Sequence, residues 1–288
     1  MKKTLIVLIL TVLPFALQAQ GFYLRAGTGY GLPAATTQLG TQVMHDENIT
    51  TDMPSNLYSS KVVTGSYGSG YNFNIGAGYV FTQNFIFDFE AIFLGGRKYQ
   101  TNYVYKITAD TYNRSETDYF NSSATGILFN PSLVFSAGFG KAAPYGRFGI
   151  IAGAPRITKT ESYFSDMDGT TSRELTWVYK NGMSVGYSAG VGMNWKISEN
   201  IAVFTEANFT SMTYYPKEAD LTKSIVDGTD NLSQLTESQK KILFVMNYDP
   251  GAPYDYNKPQ LQNKTGFPLS SVSIEAGIKL TLVKVKDE

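Results

Sequence analysis

Residues 70–97 read GYNFNIGAGYVF (70–81), TQN (82–84) and FIFDFEAIFLGGR (85–97). Two alternating runs meet at a short turn, which is the sequence form of a β-hairpin. In the second run Phe85, Phe87, Phe89, Ala91 and Phe93 share one face, and Ile86, Asp88, Glu90, Ile92 and Leu94 the other. In the first run Tyr71, Phe73, Ile75, Ala77, Tyr79 and Phe81 share a face opposed by Asn72, Asn74, Gly76 and Gly78. Successive side chains on a strand point to opposite sides, so this period of two predicts strands. Volume then sets the direction of the faces. The interior of an eight-stranded barrel is just wide enough for side chains, so it accepts a Gly- and Asn-rich face but not a wall of aromatic rings from every strand. Rings turned outward are stable only where the surrounding solvent is lipid.

The start of the chain agrees with that solvent. Residues 1–20, MKKTLIVLILTVLPFALQAQ, place Lys2 and Lys3 before an apolar run from Leu5 to Leu13, followed by small Ala19. This has the form of a secretory signal peptide over residues 1–19, and the apolar run is too short to span a bilayer as a helix. The expected domain layout is therefore a leader (1–19) and a barrel domain (20–288). The chain contains no cysteine, which excludes a disulfide framework, a thiolate metal site and a lipid-anchored N-terminal cysteine. Lys+Arg and Asp+Glu are 24 each, so nothing in the charge points to nucleic acid. Tyr 20, Phe 18 and Gly 27 with only 17% charged residues fit an aromatic- and glycine-rich membrane barrel.

Read in order, the chain predicts an all-β, antiparallel, up-and-down transmembrane barrel of eight strands. The first runs from Phe22 to Tyr30, and the hairpin above supplies the next two. The others run from about Thr125 to Ala137, Tyr145 to Ala154, Ser184 to Trp195, Ile201 to Met212 and Leu269 to Val283. Pro131 interrupts the fourth, since proline cannot donate to a ladder, and predicts a bulge or a broken pairing there. Short links at 82–84, 138–144 and 196–200 alternate with long ones at 31–69, 98–122, 155–183 and 213–268. Short periplasmic turns and long extracellular loops have this rhythm. Tyr30, Tyr71, Phe81, Phe85, Tyr145, Tyr187 and Trp195 lie near strand ends, where interfacial girdles are expected.

The hairpins echo one another. Gly76-Ala77-Gly78 precedes a turn, then Asn84 and Glu90-Ala91-Ile92-Phe93. Gly190-Val191-Gly192 precedes a turn, then Asn200 and Glu206-Ala207-Asn208-Phe209. With these features the chain resembles the small eight-stranded outer-membrane barrels of the OmpA/OmpX-like type, in the variety common among Gram-negative Bacteroidota. The resemblance covers strands and turns but not loops, and implies a place in the outer membrane among lipid and lipopolysaccharide. It departs at the C-terminus, LTLVKVKDE, where many such barrels end on an aromatic residue.

With the rings outside, Arg25, Asp88, Glu90, Arg147, Glu206, Glu275 and Lys279 face inward. Buried charge demands a partner, which predicts salt bridges in which Glu90, Glu206 and Glu275 share Arg25, Arg147 and Lys279. A filled polar plug is expected ahead of a gated pore. In the loop 98–122, Tyr103, Tyr105 and Ile107 keep the alternation, so the wall is expected to continue there as a hairpin, although its Tyr, Asn, Thr and Ser also suit a binding surface. Thr236-Glu237-Ser238-Gln239 fits a capping box, with Ile242, Leu243 and Met246 following at helical spacing, which predicts a short helix over the barrel mouth, with an irregular lid as the alternative. Tyr248, Tyr254 and Tyr256 around Pro250-Gly251 suggest a packed turn, with a sugar site as the alternative. Asp166-Met167-Asp168-Gly169 begins like a calcium loop but lacks the closing acid, and reads as a turn. The single histidine, His45, has no strand-borne Ser beside it. Lipid hydrolases and acyltransferases on barrels need such a pair, so no enzyme, cofactor or metal is expected. The function expected is a non-enzymatic barrel whose loops bind a ligand outside the cell or serve envelope structure. A narrow porin-like channel is the alternative, and a lipid-modifying enzyme a further one.

Overall fold

A computed structural model describes residues 21–283 apart from 35, 139, 168 and 252–254. The predicted leader (1–19), Asp168 of the calcium-like stretch, Tyr254 of the tyrosine cluster and the end of the C-terminal tail lie outside the described residues. Eight antiparallel strands close into a barrel. They are β1 (Gly21–Pro33), β2 (Gly70–Val80), β3 (Phe85–Gly96), β4 (Asn113–Ser136), β5 (Ala142–Gly153), β6 (Ser184–Lys196), β7 (Ile201–Ser211) and β8 (Ser271–Val283). Each pairs with its neighbours in the chain, and β8 returns to pair with β1. No strand edge is left open in this tier, which removes the liability of unpaired backbone groups. Pro131 leaves the ladder to β5 broken without a change of register, since Phe129 pairs with Ala152 and Ser132 with Gly149 on the same diagonal.

The alternation of the sequence appears as alternating exposure. Along β3, Phe87 and Phe89 are exposed while Ile86, Asp88 and Glu90 are buried. The interior is stacked in three layers. At the end bearing the short turns, Tyr23, Val80, Ile86, Val134 and Tyr145 pack together. The ionic residues lie in the middle. At the opposite end a larger apolar cap forms around Tyr67, Tyr99, Tyr214, Phe267 and Leu269.

The four long connections are largely strands rather than loops. β4 runs beyond the barrel, and its outer part carries a second tier of sheet. On one side residues 113–122 pair with Tyr99–Thr108, as the alternation of Tyr103, Tyr105 and Ile107 predicts. Thr37–Asn48 then lies parallel to Tyr99–Thr108, and Ser55–Gly65 pairs antiparallel with it as the outermost strand. On the other side β4 pairs with Arg156–Ser165, which leads on to Thr171–Lys180 and Glu218–Val226. Short strands Lys241–Val245 and Gln260–Asn263 follow. The expected helix after residue 236 is a single turn, Glu237–Lys240. The backbone N–H of Thr236 donates to Gln239 Oε1 at 2.9 Å, so the capping residues act as read. Ile242 and Leu243, however, belong to a strand pairing with Ala219 and Glu218. A pairing edge outweighs the small intrinsic stability of so short a helix.

Candidate functional site

The buried polar layer is the most concentrated chemistry in the barrel. Arg25 and Arg147 come from β1 and β5, and each is the second residue after an inward tyrosine, Tyr23 or Tyr145. Period two places tyrosine and arginine on one face, one above the other. Arg25 pairs opposite Gly76 and Tyr23 opposite Gly78. Arg147 pairs opposite Gly190 and Tyr145 opposite Gly192. The glycines are required by these neighbours. A Cβ on Gly78 would lie 2.0 Å from the Tyr23 ring, and one on Gly192 would lie 2.4 Å from the Tyr145 ring.

Each arginine bridges carboxylates. Arg25 Nη1 lies 3.3 Å from Asp88 Oδ2, and its Nη2 lies 3.6 Å from Glu90 Oε1 and from Glu206 Oε2. Arg147 Nη1 lies 3.1 Å from both Glu90 Oε2 and Glu206 Oε1. Arg147 Nη2 also donates to Ser132 Oγ at 2.8 Å. The tyrosines complete the layer. Tyr23 donates to Asp88 Oδ2 at 2.9 Å and Tyr145 to Glu206 Oε2 at 2.7 Å. All of these side chains are buried, so the charges are compensated by one another rather than by bulk water.

Two members stand apart from the predicted sharing. Glu275 has no cation within salt-bridge distance among the described residues. It accepts from Asn74 Nδ2 at 2.9 Å and Ser273 Oγ at 2.8 Å. Lys279 lies over the ring of Tyr23, Nζ 3.9 Å from the centroid, rather than on a carboxylate. The reason is position along the axis. Glu275 is four residues from Lys279 on β8, so the two lie in different layers.

Tyr145 corrects the list of interfacial aromatics. It is buried, with its hydroxyl in the ionic layer. It shares parity with Arg147, and parity outranks nearness to a strand end. Tyr30, Tyr71, Phe81, Tyr187 and Trp195 are exposed, and Phe85 is half-exposed. Tyr30 and Tyr71 meet edge to face at 4.9 Å towards the second tier, and Phe85 meets Phe81 and Phe135 near the short turns.

The mouth holds a plug that strand reading does not reveal. Between Ser55–Gly65 and β2, residues 66–69 dip inward. Tyr67 N–H donates to Pro268 O at 2.8 Å, and its hydroxyl donates to Ser122 Oγ at 3.0 Å. The Tyr67 ring packs against Tyr99 and Phe267. Gly68 passes so close to Leu269 that a Cβ would sit 1.8 Å from its carbonyl oxygen. The signal was a lone tyrosine inside Gly65-Ser66-Tyr67-Gly68-Ser69-Gly70. Lys159, on the outer-tier strand Arg156–Ser165, lies against this cap, its Nζ 4.9 Å from the Phe267 ring and 5.3 Å from that of Tyr179. Burial pushes its ammonium below the usual lysine value.

His45 sits on the outer hairpin. Its Nε2 is 2.9 Å from Asn56 Oδ1, and its ring packs on Tyr105 at 4.9 Å. No group of three or more His, Cys, Asp or Glu among the described residues is arranged to hold a metal ion. No family model matches the chain, and no curated protein matches it.

Proposed function

We propose that this chain is an integral outer-membrane β-barrel of the small OmpA/OmpX-like kind, without catalytic activity. Its outer tier would bind a ligand outside the cell or serve envelope structure. The observation that carries this reading is the inverted polarity of the wall. Phe73, Phe89, Phe129, Phe148, Val191 and Ile274, from six different strands, are all more than 40% exposed, while the arginines and glutamates face the axis. In water such a belt would exceed the apolar patches that soluble monomers tolerate. In hydrocarbon each of those groups is in its preferred solvent, and the closed ladder satisfies the backbone.

The dimensions agree. Tyr71 and Phe81 are ten residues apart along one strand and its turn. At about 3.3 Å per residue and a tilt of ~40°, they are separated by about 25 Å along the axis, the height of an outer-membrane apolar band. The leader-like N-terminus supports export. Lipid would contact the belt, and lipopolysaccharide the rim below the outer tier. A filled lumen is favoured over a narrow channel, because an ionic layer and two apolar layers cross the axis. A structural role for His45 is favoured over a catalytic one, because its neighbours are Asn56, Tyr58 and Tyr105.

The test uses single cysteines in a chain that has none. In phospholipid vesicles, Phe87→Cys is expected to react with a lipid-soluble maleimide and to resist an aqueous one. Leu57→Cys on the outer tier should react with the aqueous reagent. Rapid aqueous labelling of Phe87→Cys in sealed vesicles would overturn the reading.

A further inference from the structure

The barrel tier has no open edge, but the outer tier does. Ser55–Gly65 pairs on one side with Thr37–Asn48 and with no other strand among the described residues. It is exposed along nearly its whole length, and Leu57, Tyr58 and Val62 are 61%, 64% and 52% exposed. Natural sheets blunt such an edge with proline, bulges or several charges. This strand contains no proline and a single charge, Lys61.

The sequence of the edge is nearly symmetrical about Ser60. Reading outward from that residue, Ser59 answers Lys61, Tyr58 answers Val62, Leu57 answers Val63 and Asn56 answers Thr64. Laid antiparallel against an identical strand, it would place aromatic against β-branched and aliphatic against aliphatic, pairs that stabilise a sheet by about 0.2–1 kcal/mol each. Neither lysine would face a lysine directly. A two-fold contact needs one patch that complements itself, and this strand has that property.

We propose that Ser55–Gly65 is a homotypic interface, in which a second copy of this chain adds its own Ser55–Gly65 antiparallel, centred on Ser60. The geometry also sets how the two molecules face. An antiparallel extension of a sheet is generated by a two-fold axis along the sheet normal. The outer tier continues the barrel wall, so its normal points across the barrel axis. That operation reverses the barrel axis. The two copies meet head to head, with their barrels pointing apart, and the contact joins two apposed membranes rather than two neighbours in one. The pairing rests on the strand alone, and its placement between membranes rests on the outer-membrane reading above.

The experiment uses the full chain carrying Ser60→Cys or Ser59→Cys, oxidised with diamide in detergent micelles at matched concentration. Pairing about Ser60 brings the two residue-60 Cα atoms to about 4.5–5.5 Å, within disulfide reach, and leaves the two residue-59 Cα atoms at about 8 Å, beyond it. Ser60→Cys is expected to give about tenfold more covalent dimer than Ser59→Cys, a contrast set by that reach. Equal yields, or no dimer from either, overturn the interface whether or not the protein inserts into lipid. Two vesicle populations carrying Ser60→Cys chains of different tagged size are then mixed. A mixed-size dimer is expected. Dimers confined to one size overturn the head-to-head arrangement. Carbonate extraction of the same vesicles reports membrane insertion independently.

Discussion

Glu206 and Glu275 pair directly across β7 and β8, yet they are held by different chemistry. Glu206 touches two arginines and a tyrosine hydroxyl, whereas Glu275 is held by an amide and a hydroxyl. Removing the charge at Glu206 leaves buried arginine uncompensated, which costs about 3–5 kcal/mol. Replacing Glu275 by Gln keeps one acceptor, for Asn74 Nδ2, lets the Ser273 hydroxyl turn to accept from the new amide, and removes a carboxylate that no cation faces. Urea unfolding in detergent should therefore show Glu206→Gln strongly destabilised and Glu275→Gln within about 1 kcal/mol of the parent, or above it. Equal losses would show that Glu275 belongs to the ion-pair network after all. The internal echo sharpens the point. By sequence spacing Glu206 answers Glu90, but by register Gly192 faces Glu206 as Gly78 faces Asp88. The tyrosine hydroxyls follow the register, one on Asp88 and one on Glu206. The second hairpin is two residues longer between its Gly-x-Gly and its Asn, which shifts the copy by one inward position.

At the level of elements, the second tier is weakened as pH rises, through Asp118. This residue lies on the outer part of β4, beyond the proposed membrane span. Burial raises its pKa to about 6, with Glu161 adding to the rise, Arg173 opposing it and Glu116 contributing last. In the unfolded chain an aspartate titrates near 3.9, so between about pH 4 and 6 the folded tier holds a proton that the unfolded chain has released. Stability of the tier therefore falls as pH rises through that window, and the penalty is complete above it. Asp118→Asn should flatten the dependence and stabilise the tier above pH 6 by about 0.5–1 kcal/mol, the screened scale for a half-exposed group. Trp177 fluorescence on the Thr171–Lys180 strand, in a Trp195→Phe background, would follow it. A pH profile unchanged by Asp118→Asn would refute the assignment. What was legible at this scale was whatever depends on local periodicity. Faces and the inward charges follow from parity, as the burial of Tyr145 would have, and strand order in the barrel follows from the alternation of short and long links. The parallel pairing of Thr37–Asn48 with Tyr99–Thr108 could not be read. It joins segments separated by β2 and β3, and neither segment carries a local mark of its partner. Residues 66–69 were hidden for the same reason, because their partners Ser122 and Pro268 are distant in the chain.

For the molecule as a whole, the barrel interior is filled by three layers in series. The cap around Tyr67 closes the end beneath the outer tier, the arginine–carboxylate layer fills the waist, and the ring of Tyr23, Val80, Ile86, Val134 and Tyr145 closes the other end. Beneath that ring lies a vestibule of about 230 Å³, reached by Lys279, Lys196 and Glu199. Ions would have to displace ion pairs that compensate one another, so opening one end does not open the path. Tyr67→Ala separates a gate from a plug. The variant loses a buried ring and should be destabilised by about 3–5 kcal/mol. Planar bilayers carrying either the parent or the variant should stay silent, because the ionic waist remains. Discrete conductance steps in Tyr67→Ala alone would mean that the cap is the barrier and the waist is permeable. Removing the cap and the waist together, as in Tyr67→Ala with Arg147→Met, leaves Glu90 and Glu206 with Arg25 alone and able to draw water into the waist, while the ring around Tyr23 still closes the other end. Conductance is expected to appear first when that ring is opened as well, by adding Ile86→Ala to the double variant.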